Sequence, residues 1–225
     1  MTESDIRRAL IAKLSSSPSG QGAAFIAEMF VDSFARRADL IMANGKLSAF
    51  EIKSSRDSLE RLDGQLESYL RFFEQVTVVC AVKHLRGAQA QCPGDVGIWS
   101  ISDDGAITVV RKAKVRTVPD NASWMSFLPV DELRALAKLQ KVKVTGGRPE
   151  IVKALQAMPT RVARAYVLDY LKRRELRIQA IQDKRQSLRL STVQSIDRQQ
   201  RRLAELVRYG EALGATKAIP RLVLP

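Results

Sequence analysis

Ile6, Leu10 and Leu14 recur at helical spacing behind a Thr2 or Ser4 cap and predict a first helix. A Ser/Gly/Pro stretch at 15–22 interrupts the pattern, and residues 21–35 read as a second helix. Apolar runs at 40–43 and 46–53 flank Asn44-Gly45 and read as the two strands of a hairpin. Helical spacing returns at 58–73, with Leu59, Leu62, Leu66, Tyr69, Leu70 and Phe73 on one face. Runs at 76–82 and 96–101, then 107–111 after Asp103-Asp104-Gly105, read as further strands. Beyond Pro119 the spacing is helical again, over 130–139, 149–158 and 160–213. The last stretch reads as two long helices parted near 187–192 and folded into a hairpin around Tyr166, Leu168, Leu171, Leu203, Leu206 and Tyr209. The predicted class is therefore α/β. A mixed sheet built on an αββαβ core occupies residues 1–118, and a basic, all-helical region follows at 119–225.

Three polar groups stand inside apolar runs that otherwise read as buried strands: Asp39, Glu51 and Lys53. Unpaired charge is costly there. Glu51 and Lys53 are two apart, so they leave one face of their strand with Leu47 and Ala49, while Ser48, Phe50 and Ile52 leave the other. A plain two-residue Asn44-Gly45 turn would pair Asp39 with Phe50 and turn its carboxylate away from Glu51. A shared site thus requires a three-residue connection with Gly45 left-handed, or a bulge in the first strand. Carboxylates converging in this way suit a hard cation, Mg²⁺ or Mn²⁺.

The charge is unevenly distributed. Residues 1–130 hold 16 Lys+Arg against 15 Asp+Glu, whereas residues 131–225 hold 21 against 9, so nearly all of the net +13 lies in the helical region. Such concentration favours a polyanion through counterion release, with DNA the first candidate and RNA still open; the bland alternative is a solvated basic surface. No run approaches a membrane-spanning length and the N-terminus has no signal-like apolar stretch, which points to a cytoplasmic protein without membrane contact. Two distant cysteines and a single histidine, His84, argue against disulfide and zinc frameworks.

Arg37-Ala38-Asp39, Glu51-Ile52-Lys53 and Gln65-Leu66-Glu67-Ser68-Tyr69 stand in the order and spacing of the PD-(D/E)XK nuclease superfamily, and the chain resembles that superfamily, including its RecB-like Gln-x-x-x-Tyr motif, over residues 20–110. Ala38 departs from the proline of the superfamily name. The resemblance implies a restriction-endonuclease-like fold and a Mg²⁺- or Mn²⁺-dependent deoxyribonuclease, placed in DNA repair or defence. Its metal would be held by Asp39, Glu51 and the Ile52 carbonyl, with Glu28 on an upstream helix completing the shell. Lys53 would stabilise the charge developing on phosphate, and Gln65 and Tyr69 would stand beside it. Tyr69 reads equally as a core aromatic.

Residues 130–158 resemble a SAP-type helix-turn-helix around Gly146-Gly147, and a plain helical hairpin fits them as well. Lys83, Arg148, Lys153, Arg173 and Arg174 are the candidate nucleic-acid contacts. The C-terminal helices could clamp DNA, join two copies or hold a partner protein. Two rivals to the enzyme stay open: a non-catalytic nucleic-acid-binding protein on a nuclease-like fold, and a protein-interaction module.

Overall fold

A computed structural model describes residues 1–31 and 36–212, apart from the side chains at 192, 193 and 209–212. Helix α1 (Glu3–Ser15) is closed at its start by a capping box, in which Asp5 N–H donates to Thr2 Oγ1 and Thr2 N–H donates to Asp5 Oδ2. Gly22, at φ +66°, turns the chain into strand β1 (Ala24–Val31). Strands β2 (Arg36–Ala43) and β3 (Leu47–Lys53) follow. Helix α2 (Leu62–Phe72), strand β4 (Gln75–Ala81), a 3-10 turn (Val82–His84), helix α3 (Leu85–Gln91) and strands β5 (Gly97–Ile101) and β6 (Ile107–Arg111) complete the sheet region. Among the described residues four helices come after it: α4 (Asn121–Met125), α5 (Val130–Leu139), α6 (Arg148–Leu155) and α7 (Thr160–Ala212).

The six strands lie in sequential order, antiparallel from β1 to β3 and from β5 to β6, parallel from β3 to β5. Each face carries its own core. On one, Ile6, Leu10 and Leu14 of α1 pack against Leu40, Met42, Phe50, Ile52, Val79 and Ile101. On the other, Ala49, Val76 and Val78 of the sheet join Leu66, Tyr69 and Phe73, Trp124, Leu133, Ile151 and Val167 in one continuous apolar cluster. The chain separates into two units, Met1–Leu176 and Arg177–Pro225. Among the described residues no helix is long and apolar enough to cross a membrane.

The mixed α/β sheet followed by helices matches the predicted class. The helix expected at 21–35 does not form: 24–31 is β1, an edge strand paired with β2 from Ala24↔Ala43 to Val31↔Arg36, and 32–35 lie outside the described residues. Its run of Ala24, Phe25, Ile26, Ala27, Met29, Phe30 and Val31 carries aromatic and β-branched residues that suit a strand once a partner exists. Asn44 anchors its approach, donating through Nδ2 to the carbonyls of Ser19 (3.0 Å) and Gln21 (2.9 Å).

The helical hairpin expected at 160–213 is instead the single helix α7. The stretch near 187–192 contains no Gly or Pro, and Ser187 and Ser191 return their hydroxyls to the carbonyls of Lys184 (2.9 Å) and Leu188 (2.8 Å), so the helix absorbs them. Leu171 is buried on the core, and Tyr166 packs partly buried against it, whereas Leu203 and Leu206 are exposed. The Tyr209 side chain lies outside the described residues.

Candidate functional site

The β2–β3 connection decides whether the acidic residues meet. Ala43 pairs with Leu47 and Leu40 with Phe50, leaving the three residues Asn44, Gly45 and Lys46 in the turn, with Gly45 at φ +66°. Continuing that register sets Asp39 opposite Glu51, as a shared site requires. Asp39, Glu51, Ile52, Lys53 and Gln65 line one cleft of about 260 Å³, with Arg36 and Arg61 also on its wall.

The buried carboxylate of Glu51 has both oxygens engaged. Oε1 accepts from Lys53 Nζ at 2.8 Å and Oε2 from the Tyr69 hydroxyl at 2.8 Å. Lys53 Nζ also donates to Gln65 Oε1 at 2.8 Å, and the Tyr69 hydroxyl stands 2.9 Å from the Arg37 carbonyl. Burial, then the neighbouring Glu51 charge, hold the Tyr69 phenol well above its ordinary pKa, so it stays protonated and donates to Glu51. Asp39 Oδ2 accepts from the Ile52 N–H at 2.7 Å. Burial, reinforced by Glu51, pushes the Asp39 carboxyl up to about 8. A proton or a hard cation relieves this conflict, and Asp39 and Glu51 are the donors that would hold the cation.

Glu28 is drawn elsewhere. It sits on β1 rather than on a helix, between Ala27↔Leu40 and Met29↔Ala38, at φ +55°, where the ladder is interrupted. Its carboxylate is ion-paired with Arg7 and with Arg37 Nε (2.6 Å). Among the described residues no cluster of three or more His, Cys, Asp or Glu side chains forms a metal-binding group.

The basic candidates divide. Arg148 donates to the carbonyls of Leu128 (2.6 Å), Met125 (2.8 Å) and Ser126 (3.2 Å), closing the end of α4. Arg173 pairs with Asp169 (2.7 Å) and Glu132 (3.2 Å), with its guanidinium over the Tyr166 ring. Arg174 is half-buried, and Lys83 and Lys153 are exposed. Sequence reasoning missed Glu74, which is buried: Oε2 accepts the Leu47 N–H (2.9 Å) and Oε1 pairs with Arg164 (2.8 Å). It also missed Arg36 and Arg61; the only signal for the first was its adjacency to the Arg37-Ala38-Asp39 segment.

Comparison with known proteins adds a separate line. The family described as Bacteriophage P4 protein cII matches over residues 1–197. Protein cII of Enterobacteria phage P4 is 37% identical over 139 residues, which are 60% of this chain and 53% of that protein. The chain therefore spans about half the length of the curated relative it matches. A solved structure of a protein of unknown function from Silicibacter pomeroyi is 20% identical, covers 53% of this chain and 80% of its own, and superposes with a TM-score of 0.37. The family match overturns the expected membership of the PD-(D/E)XK superfamily, and with it the description of the chain as a nuclease or hydrolase of DNA repair or defence.

Proposed function

Since the chain belongs to the Bacteriophage P4 protein cII family, which matches it over residues 1–197, we propose that it is a non-catalytic nucleic-acid-binding protein held to its polyanion by the basic helical region. The observation that carries the reading is the charge along α7, where 13 Lys+Arg stand against 6 Asp+Glu over Thr160–Ala212. Arg185, Arg189, Arg198, Arg201, Arg202 and Arg208 are exposed along the helix, and guanidinium groups match phosphate geometry in a way that ammonium groups do not.

The polar cluster around Glu51 fits this reading as a brace. Lys53 neutralises Glu51 and donates a second hydrogen bond to Gln65 Oε1, and Tyr69 donates to the other Glu51 oxygen, so β3 and α2 are fastened together. Asp39, together with the lone pairs that Lys53 and Tyr69 leave open on the Glu51 carboxylate, would seat Mg²⁺ as a structural ion. In that case added Mg²⁺ raises the melting temperature of the wild type and leaves Asp39→Asn unmoved.

The test is duplex and single-strand binding over a salt series. The reading expects log K to fall linearly with log salt, and each helix contact neutralised in R198Q/R201Q/R202Q to lower the slope by about 0.9 on duplex. A flat salt dependence overturns it. One observation favours a second reading, a protein partner held by apolar contact: Leu188, Leu190, Leu203 and Leu206 of α7 are all more than half exposed, at 56–63%. Binding that persists at high salt and fails on Leu203→Ser/Leu206→Ser would select that reading.

A further inference from the structure

The sheet face under α1 is only partly covered. Beyond the last turn of α1, a groove of about 690 Å³ runs from Met42 and Ser48 across Phe50 and Thr77 to Trp99 and Val109. This face is turned away from the Asp39 cleft, because Phe50 and Ser48 alternate with Glu51 and Ala49 along β3. Trp99 is half-exposed at its floor and meets Phe50 edge to face, with ring centroids 5.8 Å apart. Lys13, Lys46 and Lys112 stand exposed on its rim. Among the described residues none of the three is held in an ion pair, and no acidic residue lines the groove.

We infer that this groove binds single-stranded nucleic acid, with a base stacked on Trp99 and the flanking phosphates on Lys13, Lys46 and Lys112. The chemistry narrows the occupant. Three unpartnered ammonium groups around an uncharged floor select an anion. A half-exposed indole set among Ser48 and Thr77 suits a flat ring with polar edges better than an acyl chain. A paired duplex buries its base faces in the stack and presents none to the indole, so the strand must be single. The site lies in the sheet and α1, and stands whether or not α7 carries the main charge contact.

Intrinsic tryptophan fluorescence of the full chain reads this site directly, because the other tryptophan, Trp124, is buried at 1% exposure in the opposite core. A short oligothymidylate is titrated into the wild type, K13Q/K46Q/K112Q and R198Q/R201Q/R202Q, with duplex of the same length and inorganic phosphate in parallel, and the anisotropy of a labelled strand records total binding. The expected result is saturable quenching by the single strand only. Its midpoint moves about tenfold or more in the lysine variant, since each lost phosphate contact weakens binding, and stays within about threefold in the arginine variant. Strand binding by anisotropy with no quenching overturns this inference and leaves the α7 reading in place. Quenching that is unchanged in the lysine variant, equal with duplex, or reproduced by phosphate alone also overturns it. Quenching as expected with no effect of the arginine variant on anisotropy sinks the α7 reading instead.

Discussion

Asp39 is the residue on which burial and charge conflict most openly. Burial, reinforced by Glu51, pushes its carboxyl up to about 8 in the fold, against 3.8 for an ordinary aspartate, so between those values the unfolded chain releases a proton that the folded chain keeps. Stability from this residue is therefore present in full below about pH 4 and is lost as pH rises toward about 8. Asp39→Asn keeps an acceptor for the Ile52 N–H and removes the ionisation. It is expected to stabilise the protein at pH 8 by about 1–3 kcal/mol relative to wild type and to change little at pH 4. Urea midpoints at the two pH values check this, and an equal effect at both would refute it. Lys53→Met should do the opposite, costing about 3–5 kcal/mol because Glu51 stays buried without its counter-charge. Adding Glu51→Gln should recover much of that loss in the same unfolding assay. The meeting of Asp39 and Glu51 was legible from parity along two strands and the need for a three-residue turn. The retreat of Glu28 was not, because it depends on a left-handed residue in β1 and on Arg7, which reaches it from α1.

Between elements, the β2–β3 turn is tied to the first part of α7. Arg164 reaches the Gly45 carbonyl and Glu74, and Lys172 Nζ donates to Asn44 Oδ1 at 2.9 Å. Glu74→Ala strands the Leu47 N–H and Arg164 together, and should cost about 2–4 kcal/mol of unfolding free energy. An effect below about 0.5 kcal/mol would show that the tie is ornamental. Apolar periodicity was enough to find α1, α2 and the inner strands, whose buried faces repeat over several turns or residues. It failed for β1, an edge strand defined by its pairing to β2, and for α7, where serines that resemble a turn bond back to the preceding turn. Spin labels at Ala180 and Ala204 separate the one-helix form from a hairpin. They should lie about 36 Å apart at 1.5 Å per residue, and a separation of half that or less would restore the hairpin.

At the scale of the whole chain, charge is partitioned rather than spread, with the sheet region near neutrality and the helical region carrying almost all of the excess. That imbalance was readable from composition alone. Which arginines serve the fold was not: Arg148 and Arg173 sit among the candidate contacts by sequence, yet spend their donors on α4 carbonyls and on Glu132 and Asp169. The charge partition is the observation that supports the proposed reading, in which the protein holds nucleic acid and leaves it intact. The most direct measurement is duplex binding by wild type, R198Q/R201Q/R202Q and Lys53→Met across a salt series with Mg²⁺ present, recovering the DNA afterwards. The account predicts intact DNA throughout, a steep salt slope that falls in the arginine variant, and unchanged binding by folded Lys53→Met. DNA cleaved by the wild type and spared by Lys53→Met, or a slope indifferent to the arginines, would contradict it.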